Sequence, residues 1–286
     1  MMRNSRFRTG WSGSPSNNLR SYDWRNCDWR SVGLALMVLA VASVAARDTR
    51  ADEFRIDSAV YRGEENTPLL ETKTLFSEGL AYDFMLTGSK EITVLDPIRG
   101  RIILLDPKNE RLCTVSTEEI LRFTAEVRNL IGDNRRETLD PEFTESYDEA
   151  SKQLTMRSKY LIYESTGVTP KHLTAVAMYR AFADWSARLN AMRPNNPPPF
   201  GRLKLNAAIA ERNLIPRTVT RTTMSAAGPL SAISRSRLVM RSDHLVVWSL
   251  SATDRKEIGQ VSDYLTKFKP VTFEDYHAPS ATVARN

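Results

Sequence analysis

The seventeen residues EITVLDPIRGRIILLDP, Glu91–Pro107, decide the fold. Leu-Asp-Pro occurs twice, at Leu95–Pro97 and Leu105–Pro107, with the strand-like IRGRIILL between. Aspartate at the first position of a turn and proline at the second suit a type I turn: the carboxylate accepts nearby backbone N–H groups and the ring presets φ. Two such turns around a β-branched run predict short strands laid back to back. The pattern extends upstream at period two. FRIDSAVY puts Phe54, Ile56 and Val60 on one side, LLETKTLF puts Leu70, Thr72, Thr74 and Phe76 there, and LAYDFML groups Leu80, Tyr82, Phe84 and Leu86. RLCTVS, Arg111–Ser116, adds a sixth strand downstream. Six strands with tight links predict an antiparallel meander.

Beyond it, Ser116-Thr117-Glu118-Glu119 reads as a capping box opening an amphipathic helix over 117–131, stopped at Gly132. EFTESYD and QLTMRSKYLIYES form a second strand group around a turn at Glu149–Lys152. Thr169-Pro170 predicts the start of the longest helix, running to Met192 with Ala175, Met178, Tyr179, Phe182, Trp185 and Leu189 down one stripe. RPNNPPPF turns a rigid corner before a shorter helix over RLKLNAAIAERNLI. Strand-like RTVTRTT, AISRSRLVM and HLVVWSL follow. Thr253 is expected to cap a last helix with Ile258, Val261, Leu265 and Phe268 inward, and a flexible tail is expected over 270–286. Strands and helices thus come in segregated blocks. That order predicts one α+β domain over 52–269: a curved, mostly antiparallel sheet, an open half-barrel, with helices packed across its concave face.

Residues 1–51 read as an export leader. Arg20, Arg25 and Arg30 precede the fifteen-residue run Val32–Ala46, and small residues crowd its far end. At ~1.5 Å per helical residue the run falls short of the ~30 Å hydrocarbon core. Cleavage after Ala46 or Ala51 would release a periplasmic or extracellular domain, and an uncleaved signal anchor is the alternative. The whole chain carries 40 basic and 34 acidic residues, but residues 52–286 carry 32 and 31, so nucleic-acid binding loses its support. Cys27 leaves with the leader and Cys113 stays alone, mid-strand, where an inert buried thiol is expected. Membrane contact is expected only through the signal segment, and the oligomeric state is not readable.

The stretches GLAYDFML, EITVLDPIRGRIILLD, YRAFADWSARLNAM and PPPFGRLKLN resemble a family of signal-peptide-bearing bacterial secreted proteins without an assigned activity. The block order resembles the open β-barrel of periplasmic lipoprotein carriers of the LolA kind, although the helix those carriers place before their first strand is missing between the leader and Phe54. That resemblance implies a curved sheet around an apolar hollow lidded by helices, and it assigns no residue a role.

No HExxH, CxxC, GxSxG, Walker or GxGxxG pattern occurs, so neither a metal nor a cofactor is expected. His244 follows Asp243, and adjacent strand residues point to opposite faces, so those two are not expected to form an oriented pair. Asp96, Asp106 and Asp140 are read as turn formers, with calcium binding as the alternative. Charge distribution is the distinctive signal: residues 52–150 hold 12 basic and 22 acidic residues, residues 151–286 hold 20 and 9. If the basic strands are neighbours, Arg217 and Arg221 are expected to join Arg235, Arg237 and Arg241 on one face, suited to phosphate or carboxylate. Basic strands pairing with the acidic half is the competing account. Tyr179, Phe182 and Trp185 could line a ligand hollow or simply form core. The expectation is an exported, non-catalytic carrier of an apolar or amphipathic, anionic-headed envelope ligand. Its alternatives are an envelope hydrolase and an assembly factor. A void of at least ~300 Å³ between sheet and long helix would favour carriage.

Overall fold

A computed structural model describes residues 53–194, 196–224 and 237–278. The leader with its apolar run, Arg235 and residues 279–286 lie outside the described residues. The first six strands are β1 (Phe54–Arg62), β2 (Leu70–Ser77), β3 (Leu80–Met85), β4 (Ile92–Asp96), β5 (Arg101–Asp106) and β6 (Arg111–Ser116). Each pairs antiparallel with the next. The repeated Leu-Asp-Pro turns work through their aspartates: Asp96 accepts the Arg99 N–H and Asp106 the Asn109 N–H, each at 3.1 Å. Gly100 (φ +58°) takes the left-handed position that ends the first turn. A Cβ there would lie 3.1 Å from the Thr117 hydroxyl, so glycine also makes room for the next helix.

That helix, α1 (Thr117–Asn129), is capped by Ser116, whose Oγ accepts the Glu119 N–H at 3.0 Å. α1 ends at its C-cap Leu130, just before Gly132, and a short α2 (Asp133–Leu139) follows. Then come β7 (Thr144–Asp148), β8 (Gln153–Arg157), β9 (Leu161–Val168), α3 (Thr174–Met192), α4 (Phe200–Glu211), β10 (Ile215–Met224), β11 (Arg237–Val247), α5 (Ala252–Lys267), β12 (Lys269–Pro270) and α6 (Phe273–His277). Three sequence expectations need correction here. α3 opens at Thr174 rather than at Pro170, because tight three-residue turns at His172 and Leu173 lead into it. α5 is capped by Ser251 rather than Thr253, in a reciprocal capping box with Asp254, and Leu265 lies on its exposed side. The tail does not come loose at Pro270. Lys269 and Val271 donate N–H bonds to Glu110 and Leu112, Pro270 sits between them where a strand edge needs no donor, and Tyr276 of α6 is buried.

The twelve strands form one open sheet in the order β12-β6-β5-β4-β3-β2-β1-β11-β10-β9-β8-β7, antiparallel except for β12 against β6. This is the α+β half-barrel that the segregated blocks predict. α1, α3 and α4 pack on its concave face over Phe54, Ile56, Phe76, Ile102 and, under α4, Leu154 and Met156. α5 instead covers the outer face of β3–β6, where Tyr82, Phe84, Val94, Ile103 and Leu105 form a second apolar layer with Val261 and Phe268. These strands are apolar on both sides, so one helix layer could not bury them.

The uneven charge halves neutralise one another within the fold. Lys159–Glu137, Arg212–Glu145, Lys204–Asp140 and Arg193–Glu91 all join the basic half to the acidic one. Among the described residues no helix is long and apolar enough to cross a membrane.

Candidate functional site: a polar-ended cavity under the long helix

α3 does not seal against the sheet along its whole length. Between it and the concave faces of β1, β2, β10 and β11 lies a cavity of about 440 Å³. A second hollow of about 370 Å³, walled by Pro197, Pro198 and Pro199, shares Tyr163, Asn190, Arg202 and Arg221 with it. The two arginines therefore stand where the hollows meet. Neither forms an ion pair with a carboxylate among the described residues, and the Arg221 Nε is buried without a hydrogen-bond partner. Arg202 is aimed by a relay between helices: its Nε donates to Asn206 Oδ1 at 2.9 Å, and Asn206 Nδ2 donates to Asp184 Oδ1 at 2.9 Å. With its Nε held by Asn206 and a further hydrogen bond to the Tyr179 hydroxyl, the guanidinium is fixed in orientation on the cavity wall.

Among the described residues the expected arginines do not share one face, and Arg235 lies outside them. β10 and β11 are neighbours, but Arg221 stands opposite Met240, while Thr220 stands opposite Arg241 and Met224 opposite Arg237. Directly opposed residues share a face and successive ones alternate. Arg221 thus enters the concave side, whereas Arg237 and Arg241 belong to the outer face, where Arg241 lies 4.4 Å from the centre of the Tyr61 ring. Arg217 is exposed at the bulge between Pro216 and Thr218 and borders a separate outer groove with Asp57 and Glu71. A one-residue register difference decides the matter. Of the aromatic stripe, Tyr179 and Phe182 line the cavity. Trp185 turns away from it and stacks at 5.3 Å on the Arg188 guanidinium.

Two titratable groups on the concave face were not legible as site residues. Asp83 of β3 faces the cavity and accepts a 2.7 Å hydrogen bond from the Thr74 hydroxyl. It lines the cavity wall and is largely, though not fully, withdrawn from solvent. That burial pushes its carboxyl up to about 6 against the pull of Thr74 and Thr72, and the nearby Glu91 adds to the rise. His244 of β11 lies between two serines, its Nδ1 2.8 Å from Ser58 Oγ and its Nε2 3.1 Å from Ser242 Oγ. Burial, with help from Arg202, lowers the imidazole to about 3, so it is neutral at any ordinary pH. Ser242 also reaches the Val219 carbonyl at 3.4 Å. Spending its hydrogen there assigns Ser242 as acceptor from Nε2–H and Ser58 as donor to Nδ1. A serine–histidine pair of this kind could in principle attack an ester, but an imidazole held near 3 takes up the serine proton poorly. As the sequence alternation predicts, Asp243 lies on the opposite face, 3.4 Å from Arg241.

Cys113 is buried on the concave side of β6, and burial raises its thiol to about 11, in keeping with an inert side chain. Asp96 and Asp106 are committed to their turns and to Arg99, Arg101 and Arg111. Among the described residues no group of three His, Cys, Asp or Glu side chains could hold a metal ion. No family model and no curated protein matches this chain.

Proposed function

We propose that this chain is an exported carrier or binding protein that holds an amphipathic ligand under α3, with the acidic head of the ligand at Arg202 and Arg221. The observation that supports it most is the pair of guanidinium groups without carboxylate partners on the wall of a roomy cavity. Cations shielded from water are ordinarily paired, as Arg55 is with Asp254 and Arg193 with Glu91. A volume of about 440 Å³ lies in the range of small-molecule sites. Ile56, Val60, Leu70 and Phe182 offer an apolar bed beside the charged end. The leader, with its basic start, short apolar middle and small-residue exit, supports export.

Detergent-free purification of the native chain followed by mass spectrometry of its extract should find a carboxylate- or phosphate-bearing amphiphile. The R202Q/R221Q double variant should lose it while melting within a few degrees of wild type. At least a ~100-fold loss of affinity for dodecanoic acid is expected, since charge-assisted hydrogen bonds contribute ~1.5–3 kcal/mol each. Unchanged affinity in the double variant would sink the assignment. Native molecules recovered from the cytosol with Met1 in place would remove export.

A further inference from the structure

We infer that the preferred occupant is charged at both ends: an acid at Arg202 and Arg221, and an ammonium group at Asp83, joined by an apolar stem. This deepens the carrier reading and rests on it. Asp83 on β3 and Arg221 on β10 are separated in the sheet by β2, β1 and β11. Four interstrand steps amount to ~19 Å along the sheet, which curvature shortens across the hollow. Both residues nevertheless line the same cavity.

The carboxylate end is as conspicuous as the cationic one. Thr74 and Thr72 give Asp83 neutral hydroxyl donors. Among the described residues no lysine or arginine forms an ion pair with it. Lys73, its nearest lysine in the sheet, points to the other face and is committed to Asp254 and Glu257. Glu91 adds negative potential at this end. An enclosed carboxylate without a cation is costly to ionise, so a ligand that brings one gains most of what the empty site lacks. Between the poles Ile56, Val60, Leu70 and Phe182 give the stem apolar contacts, beside the uncharged Ser58, Ser242 and His244, which hydrogen-bond one another. A simple fatty acid would satisfy one end and leave the other unmatched. A neutral amphiphile would satisfy neither.

The test is isothermal titration at pH 7.5 with 12-aminododecanoic acid and dodecanoic acid, against wild type, D83N and R202Q/R221Q. Wild type should bind the amino acid at least ~tenfold more tightly than the plain acid. In D83N that ratio should fall to about one, with the affinity for dodecanoic acid unchanged or improved. Equal binding of the two acids by wild type, with dodecanoic acid still lost in R202Q/R221Q, would overturn the ammonium pole and leave the carrier reading intact. Failure of wild type to bind either acid would overturn both. Circular dichroism melts of D83N separate lost preference from lost fold.

Discussion

Replacing Phe76 by Ala is expected to destabilise the protein by ~3–5 kcal/mol, the usual cost of emptying a fully buried aromatic site. Phe76 is 1% exposed, stacks on Phe54 with ring centres 4.1 Å apart and planes 6° from parallel, and meets the edge of Phe182 at 5.7 Å. It thus ties β1, β2 and α3 together at one point. A domain of this size loses ~2–4 °C of Tm per kcal/mol, so a fall of roughly 10 °C should accompany the change. Urea unfolding should show a lower midpoint with an unaltered slope. A loss below ~1 kcal/mol would mean that α3 does not depend on this stack, and the cavity it roofs would then need another support.

Asp83→Asn is expected to do the reverse: to stabilise the empty protein at pH 7.5 by about 3 kcal/mol and at pH 4 by less than ~1 kcal/mol. The folded carboxyl, near 6, lies above its unfolded value of 3.8, so the folded state binds the proton more tightly. Its contribution to stability is fully present below 3.8 and is lost as the pH rises through about 6. Two pH units at ~1.4 kcal/mol each set the magnitude. Asparagine keeps an acceptor for Thr74 and never ionises. His244 works in the opposite sense: its folded value of about 3 lies below 6.5, so its contribution is present above 6.5 and lost as the pH falls toward 3. Both proteins carry His244, so it cancels in the comparison. Urea midpoints at pH 4, 5.5 and 7.5 should diverge progressively. A D83N protein weaker than wild type at pH 7.5 would show that Asp83 is already well served by a cation.

The turns and caps that rest on local chemistry were readable: the two aspartate-proline turns, the Ser116 cap and the period-two strands need only neighbours within a few residues. What escaped depended on partners far along the chain. In LAYDFML the alternation rightly groups Leu80, Tyr82 and Phe84, but their side became the outer one once α5 packed there, and Asp83 was thereby turned into the hollow. Counting within each strand puts the arginines of β10 and β11 on one face, whereas the pairing offset between the strands sets the face. Arg202 carries no local mark at all. It matters because Asn206, one turn later, and Asp184 on another helix hold it.

The two meanders of the sheet are joined by β1 against β11, which brings Arg55 opposite Val247. The strand translated first therefore waits for nearly the last before its second edge is covered. Assembly of this kind has high contact order and proceeds slowly. A chain halted anywhere before β11 would display β1 as a raw template for its neighbours. Closure of the sheet thus waits until β11 has been made, and the longest-range strand pairing in the molecule is also the one that joins its two halves.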